Sequence, residues 1–397
     1  MIHTLHGAAP QVYQRIAPGT VHLDVNSPPY WQARQYAEGE RPVWDGVAGC
    51  PLGEEGSAKD YINHLVAIYR GVRKCLHPEG LLIVNVGDLY SGKRNLNTYT
   101  GSTRYNDALE ARSEAAGKEN GYGVPTGSKM MIPERLAIAM IDDGWRVRNI
   151  FPWIKPTPPP SGTQSRACSS TEQIIIFAQD NGVPHYWDDY GCRPASPNTK
   201  DGRVYMDKDP FLASLDARCA WDHDGPIMQI AGSEETIAQL GMEAVNAAPL
   251  AIIAQASKGR HGHVARFPAG LIAPLLDLAA PLHGVCGACR SPFRRVSRGE
   301  WRGKDYIRVT EGWRPKCGCG APAVPGLIMD TFGGTGTTVE TGQSKGLDGI
   351  YIDASREYYD ATTERLRDAG MPVIEGFPVR RNPPMIPPMK SLRDYLK

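Results

Sequence analysis

The stretch that decides the fold is Gly326–Thr338, which reads GLIMDTFGGTGTT. A short apolar run leads to Asp330, and closely spaced glycines then lead into a segment that favours a helix. A parallel strand that turns through glycines into a helix forms the crevice in which open α/β sheets bind nucleotides. Glycine is needed there because the backbone must approach the ligand closely or adopt positive φ. The segment therefore predicts an α/β fold with a ligand site at the end of this strand.

The residues that follow the turn restrict the kind of ligand. A dinucleotide site would place a third glycine at position 339, where the chain has Val339. A phosphate-binding loop would continue with Gly-Lys-Ser/Thr, and the chain does not do so at that spacing. Asp353 ends the next apolar run, 23 residues after Asp330, where an acid can bond both hydroxyls of a ribose. The pattern favours a ligand that need not carry phosphate, such as S-adenosylmethionine.

A second motif, Ser27-Pro28-Pro29-Tyr30, follows the apolar run Val21–Val25. The two prolines fix φ and remove N–H donors, so hydrogen-bond acceptors dominate this turn. The Ser27 side chain and the Pro28 carbonyl can accept the two N–H bonds of an exocyclic base amine, whose lone pair is otherwise delocalised into the ring. The Tyr30 ring offers a face to a base taken out of the duplex. The two motifs together predict methyl transfer to an amine of a DNA base, and this chemistry needs no covalent nucleophile.

Apolar runs alternate with helical patterns along the chain. Strands are predicted at Val21–Val25, Leu81–Val86, Arg146–Ile154, Gln173–Ala178, Gly326–Asp330 and Gly349–Asp353. Helices are predicted at Ala58–Leu76, Glu134–Ile141, Thr335–Gly346 and Ser355–Asp368. This alternation predicts a parallel, doubly wound sheet that is covered on both faces.

Three stretches interrupt the alternation and suggest how the chain is divided. The predicted parts are a catalytic half at 1–179 with a loop insertion at 91–130, a target-recognition region at 180–262, a cofactor-binding half at 263–375 with a cysteine-rich insert at 283–322, and a proline-rich tail at 376–397.

The cysteine-rich insert has the spacing of a metal site. The pairs Cys286-x-x-Cys289 and Cys317-x-Cys319 supply four thiolates on two short turns, enough for a tetrahedral structural zinc ion. Free structural thiols are the alternative. Between the pairs the chain has nine Lys or Arg against three acids, while its net charge is only +1. This zinc-ribbon-like module is therefore a candidate surface for nucleic-acid phosphates.

Composition excludes other classes of protein. Apolar content of 41% and charged content of 22% are ordinary for a soluble globular protein. The most apolar long stretch, 267–285, contains three prolines, Asp277 and His283, so no membrane span is expected. The first residues lack the layout of a secretory signal, and nine cysteines with four clustered late fit a reducing cytoplasm.

Several segments, in this order, resemble the class β amino-methyltransferases of DNA, in which the catalytic motif precedes the cofactor motif. Besides the two motifs, the segments that carry the resemblance are Leu81–Tyr90, Gly144–Arg148, Trp153–Pro156, Pro160–Arg166 with Glu172, Tyr186–Asp188 and His263–Pro268. The resemblance implies a Rossmann-like sheet with circularly permuted motif order. It also implies a set of residues that hold S-adenosylmethionine: Asp88, Phe267, Pro268, Asp330, Phe332, Gly333, Gly334, Thr335, Gly336, Thr337 and Asp353.

The resemblance also indicates the reaction and the partners. Ser27 stands where adenine-N6 enzymes of this family mostly have Asp or Asn, which favours N4 of cytosine in duplex DNA. Adenine N6 stays open, as does an inactive zinc-bearing DNA-binding protein. Two departures from the family pattern are Gly333 in place of the commoner Ala and Asp353 in place of Glu. DNA is the implied partner, in a bacterial, archaeal or phage-encoded protein of the cytoplasm. A homodimer and a cognate restriction endonuclease on the same site are compatible with it.

Overall fold

The computed structural model describes nine stretches of the chain: residues 1–32, 41–44, 47–91, 121–155, 171–188, 227–228, 251–253, 268–302 and 305–377. Several sequence predictions fall outside these residues: most of the loop insertion, most of the target-recognition region, Phe267 and nearly all of the proline-rich tail. No helix in the described stretches is long and apolar enough to cross a bilayer.

The described residues contain sixteen strands, five α-helices and a short 3-10 helix at Gln11–Arg15. The strands are β1 (Ile2–His6), β2 (Val21–Asn26), β3 (Val43–Trp44), β4 (Val47–Ala48), β5 (Leu76–Val86), β6 (Trp145–Ile154), β7 (Thr171–Gln179), β8 (Ile227–Met228), β9 (Ala251–Ile253), β10 (Val285–Cys286), β11 (Phe293–Arg302), β12 (Asp305–Pro315), β13 (Ala323–Val324), β14 (Leu327–Asp330), β15 (Asp348–Asp353) and β16 (Val373–Glu375). The helices are α1 (Ala58–Cys75), α2 (Ile132–Asp142), α3 (Ala269–Ala279), α4 (Thr337–Ser344) and α5 (Arg356–Asp368).

Ten of the strands form one sheet, in the order β16-β1-β15-β14-β2-β5-β7-β6-β9-β8. The first six strands in this order are parallel to one another, as the sequence predicts. The prediction of a parallel sheet is wrong beyond β5, because β7 runs antiparallel to both of its neighbours. The segment between β6 and β7 has prolines at 156, 158, 159 and 160. A parallel crossover usually contains a helix, and a sequence with these prolines does not favour one.

Helices cover both faces of this sheet. The helix α1 begins where the Ser57 hydroxyl accepts a hydrogen bond from the Asp60 N–H at 3.1 Å. Its apolar face packs, together with α2, on one side of the sheet, whereas α3 packs on the other side. The doubly wound arrangement predicted from the sequence is confirmed.

The cysteine-rich insert is a separate small unit at the end of α3. The short strands β10 and β13 pair with each other, and β11 and β12 form a long antiparallel hairpin between them in the chain. Two arginines at the base of the hairpin attach it to the main sheet. Arg294 pairs with Glu79 of β5, and the Arg295 guanidinium donates to Asp188 at 3.1 Å.

Candidate active site

The two sequence motifs meet at one edge of the sheet. The strand β14 is hydrogen-bonded to β2 on one side and to β15 on the other. Because all three strands are parallel, the turn after Asp330, the Ser27–Tyr30 turn and Asp353 share the carboxyl edge. Motifs that lie 300 residues apart in the sequence thus border one crevice, where open α/β sheets bind their ligands.

The turn after β14 depends on two of its glycines. A Cβ at Gly333 would lie 2.3 Å from ring atoms of Tyr351, so only glycine lets the turn lie against β15. Gly336 has φ of 75° and forms the N-cap of α4. The Gly334 carbonyl accepts hydrogen bonds from Tyr351 at 2.9 Å and from Thr362 at 2.7 Å. The close packing of Gly333, the positive φ of Gly336 and the two hydrogen bonds to the Gly334 carbonyl therefore fix the backbone of this turn.

Asp353 organises the same turn. Its Oδ2 accepts the Gly334 N–H at 2.9 Å, and its Oδ1 accepts the Ser355 N–H at 2.8 Å. Burial raises the pKa of Asp353 to about 6, although these two backbone hydrogen bonds favour the charged form. A carboxylate has about four acceptor positions, so lone pairs remain for a ligand after both backbone bonds are made.

A buried pair of acids lies beneath the turn, and sequence reasoning identified only one of them. Asp330 of β14 accepts the Phe332 N–H at 3.1 Å, and Asp24 of β2 accepts the Thr331 hydroxyl at 2.8 Å. Burial raises the pKa of Asp330 to about 7. Burial and then the charge of Asp330 raise the pKa of Asp24 to about 8. At least one carboxyl of the pair is therefore protonated near neutral pH.

The Ser27–Tyr30 turn is held through its tyrosine. The Tyr30 hydroxyl donates to Glu172 Oε2 at 2.7 Å, and Asn85 Nδ2 donates to the Tyr30 oxygen at 2.9 Å. The Tyr30 ring lies against Gly87, where an added Cβ would be 2.7 Å from the ring. Lys155 Nζ forms an ion pair with the other oxygen of Glu172. Asn85 was not identified from the sequence, and Lys155 and Glu172 were quoted there without a role.

The two proline carbonyls of the turn differ in their surroundings. The Tyr61 hydroxyl donates to the Pro29 carbonyl at 2.9 Å, so this carbonyl is already used within the protein. Within the described stretches no donor lies on the Pro28 carbonyl. The acceptor expected to meet the base amine is thus left for a ligand.

The remaining residues predicted to hold the cofactor lie on several different elements. The Thr335 carbonyl accepts from Arg365 at 2.7 Å, and the Thr335 and Thr337 hydroxyls lie 3.3 Å apart. Pro268 forms the N-cap of α3. Asp88 follows β5, two strands from β14, and accepts the Ile132 N–H at 3.0 Å, so the structure gives it a role at the start of α2.

The four cysteines of the insert come together. The Sγ atoms of Cys286, Cys289, Cys317 and Cys319 all lie within 4.8 Å of one another. In a tetrahedral zinc–thiolate site the sulfur atoms are about 3.8 Å apart, given a Zn–S bond of about 2.3 Å. The donor set and its spacing therefore fit a structural zinc ion.

Comparison with known proteins places the chain in a family. A family model described as a DNA methylase matches residues 21–286. The chain belongs to the N6/N4 DNA methylase family. The match begins at the first residue of β2 and takes in the Ser27–Tyr30 turn. The glycine turn that ends in α4 lies beyond it.

The chain is similar to two Type II methyltransferases. It is 31% identical over 183 residues to M.Cfr9I of Citrobacter freundii, covering 46% of this chain and 56% of that protein. It is 32% identical over 182 residues to M.XycI of Xanthomonas campestris pv. cyanopsidis, covering 46% and 55%. The match thus spans about half the length of each relative. Among solved structures, the cytosine-N4-specific PvuII DNA methyltransferase matches with a TM-score of 0.48 and 15% identity, covering 92% of this chain and 86% of that one.

Proposed function

We propose that the protein transfers a methyl group from S-adenosylmethionine to the exocyclic N4 amine of cytosine in duplex DNA. The observation that carries the proposal is the meeting of the Ser27–Tyr30 turn and the glycine turn at one edge of the sheet. A methyl acceptor and a methyl donor bound in these two turns would lie side by side. Family membership supports the reaction class.

The residues of the glycine turn fit S-adenosylmethionine. When bound, this cofactor supplies a methyl group on a positively charged sulfur. The glycines at 333 and 336 let the turn pack closely against Tyr351 and Thr362, and Asp353 has acceptor capacity for two ribose hydroxyls. The acids Asp353 and Asp330 also make the crevice attractive to a cation. No lysine of a phosphate-binding loop is needed for such a ligand.

The Ser27–Tyr30 turn fits an amine acceptor. The Ser27 hydroxyl and the Pro28 carbonyl would each accept one N–H of the base, which draws the nitrogen out of conjugation and directs its lone pair. The Tyr30 ring is held by its hydroxyl and by Gly87, so a flipped base would meet a fixed surface. Direct transfer without a covalent enzyme intermediate follows from these parts.

The identity of position 27 favours cytosine over adenine. A serine hydroxyl is a weaker acceptor than the acidic or amide side chain expected for adenine N6, and the amine of the smaller cytosine ring sits closer to the pocket wall. Adenine N6 methylation by the same residues is the second candidate, because the Pro28 carbonyl serves either base.

We infer that DNA is the partner and that target recognition lies within residues 180–262, helped by the cysteine-rich insert. Arg294 and Arg295 are used to attach the insert to the body, so they fix its position beside the sheet. The basic residues further along the hairpin would then contact phosphates. Localisation in the cytoplasm, a homodimer and a cognate restriction endonuclease stay predictions.

Mass spectrometry of nucleosides tests the proposal directly. The protein is incubated with duplex DNA and S-adenosylmethionine that carries a labelled methyl group, and the DNA is then digested. We expect label in N4-methyldeoxycytidine, and we expect Ser27→Ala to lower turnover while cofactor affinity stays nearly unchanged. Label in N6-methyldeoxyadenosine would exclude cytosine but keep the reaction class. Label in 5-methylcytosine, or in no base, would exclude the mechanism.

A further inference from the structure

The hydrogen bonds around Tyr30 have a fixed direction. Glu172 as a carboxylate can only accept, so the Tyr30 hydroxyl, whose oxygen lies 2.7 Å from Oε2, must point its proton to it. The amide nitrogen of Asn85 can only donate, and it does so to Tyr30 at 2.9 Å and to Glu172 at 3.0 Å. The Tyr30 oxygen is therefore an acceptor toward all its other neighbours.

Ser27 lies at the other end of this chain of bonds. Its Oγ is 3.4 Å from the Tyr30 oxygen, and because the Tyr30 proton is committed to Glu172, Ser27 must be the donor in this contact. Its lone pairs are then directed to accept from something else. The contact is long, which is common for catalytic hydrogen bonds before a substrate is bound.

Lys155 and Asn85 hold the carboxylate at the far end of this chain of hydrogen bonds. Lys155 Nζ pairs with Glu172 Oε1, and the lysine also lies 4.6 Å from the centre of the Trp153 ring. The side chains of both partners are mostly shielded from water. The ammonium and amide groups thus donate to both oxygens of the carboxylate.

We propose that Glu172 receives, through Tyr30 and Ser27, the proton that the target amine loses when it is methylated. The inference rests on the proposed function and extends it to the fate of the proton. Glu172 would not touch the base. It would act as a positioning residue that orients the Ser27 acceptor and as the final proton acceptor.

Methyl transfer and the proton relay together conserve atoms and charge. The amine nitrogen attacks the methyl carbon, an N–C bond forms, and the S–C bond breaks with its electron pair left on sulfur. The nitrogen passes one proton to Ser27 Oγ, Ser27 passes its own to the Tyr30 oxygen, and Tyr30 passes its own to Glu172. One proton has moved from the amine to the carboxylate, and both hydroxyls are restored.

The test compares Tyr30→Phe and Glu172→Gln with the wild-type protein and with Glu375→Gln, the same change at an exposed acid of β16. Phenylalanine keeps the ring that a base would stack on and removes only the relay oxygen. We expect single-turnover methyl transfer to fall roughly 100-fold in both relay variants, within the range for lost general acid–base catalysis. Affinity for S-adenosylmethionine should be nearly unchanged, and Glu375→Gln should match wild type.

The pH profile separates a relay from a structural role. The titratable groups that face the Glu172 carboxylate in the described residues are Lys155 from β6 and Tyr30. If the carboxylate is the final proton acceptor, the acid limb of the wild-type transfer step should be absent in Glu172→Gln. Independently of activity, the carbon-13 signal of the labelled Glu172 carboxyl, assigned by its loss in Glu172→Gln, should move in Tyr30→Phe without DNA or cofactor.

Each outcome decides a different claim. Full-rate transfer by Tyr30→Phe, or an acid limb that persists in Glu172→Gln, would overturn the relay and leave the proposed function standing. A wild-type protein that labels no base would overturn both. If Glu172→Gln loses cofactor affinity or its melting transition, the result for Tyr30→Phe alone decides whether the relay exists. That variant leaves the Glu172 carboxylate and Lys155 in place.

Discussion

A single carboxyl group, Asp353, lies at the crevice after β14 and also holds the turn that borders it. The sequence predicts it as a ligand for a ribose, and the structure shows that it also holds two backbone N–H groups of the glycine turn. Changing it to alanine would disturb both functions at once. Asparagine keeps the size and removes the charge, so it is the better probe.

Asp353→Asn should weaken S-adenosylmethionine binding by on the order of 1–3 kcal/mol, the usual range for hydrogen bonds to a charged group. Because the pKa of Asp353 is raised to about 6, wild-type affinity should fall as the pH is lowered through this value, where the acceptor becomes protonated. Calorimetry at a series of pH values measures both effects. Asp348→Asn, at the opposite end of the same strand, is the control. Equal affinities at all pH values would remove Asp353 from the site.

The buried acid Asp24 should make stability depend on pH. Its pKa is about 8 in the folded protein, against about 4 in an unfolded chain. Between these values the folded state keeps a proton that the unfolded state has lost, so the free energy of unfolding falls as the pH rises through this window. The raised pKa of Asp330 acts in the same direction.

Asp24→Asn removes one of these two titrations. From pH 5 to pH 9, the free energy of unfolding should fall less in the variant than in wild type. The difference should be on the order of 2 kcal/mol, or a few degrees in Tm. Thermal melts at both pH values test this, with Asp360→Asn on the exposed face of α5 as the control. If Tm changed equally with pH in the variant and in wild type, Asp24 and Asp330 would titrate as ordinary surface acids do.

At the scale of secondary-structure elements, the contact between α4 and the sheet explains why the third glycine of a dinucleotide site is absent. Dinucleotide sites use a third glycine for close packing of the helix on its strand. Here Val339 of α4 occupies that place. The glycine lies instead on the strand that the helix packs against, because a Cβ at Gly349 of β15 would lie 3.0 Å from Val339. The close approach is kept although the motif is altered.

The cysteine-rich insert should behave as a metal-dependent element. Its four thiolates should hold about one zinc ion per chain, and Cys289→Ser should lose this ion. Cys50, Glu55 and His64 form another group with ligand atoms within 4.8 Å, so the comparison must include Cys50→Ser. Elemental analysis of protein purified without chelator gives the stoichiometry. Zinc that is lost only in Cys50→Ser, or metal-free protein with an unchanged melting curve, would argue for free thiols in the insert.

Sequence patterns predicted the elements that are regular over many residues. All six predicted strands and all four predicted helices are present, with ends that shift by up to five residues. The strands β1 and β16 were missed because they are five and three residues long, and only their places in the sheet identify them. The helix α3 was missed because Pro274 interrupts it; burial of Leu271 and Leu275 against the sheet stabilises it nonetheless.

The candidate site was predictable where chemistry is local in the sequence. The glycine turn and the Ser27–Tyr30 turn each carry their own pattern. Asp24 has no such pattern, since an acid within an apolar strand looks like an interruption until its buried neighbours are known. The bond from Tyr30 to Glu172 joins positions 142 residues apart, and no local spacing could indicate it.

At the scale of the whole molecule, the position of β1 has a consequence for synthesis of the protein. The strand β1 pairs Ile2 with Gly349 on one side and with Val373 on the other. Its two neighbours emerge from the ribosome more than 340 residues after it does. At the usual rates of translation the nascent chain must keep this strand, which is buried in the finished sheet, unpaired for roughly 20–70 s. We therefore expect ribosome-stalled chains that end before β15 to remain sensitive to protease throughout β1, and to bind chaperones that shield exposed strands.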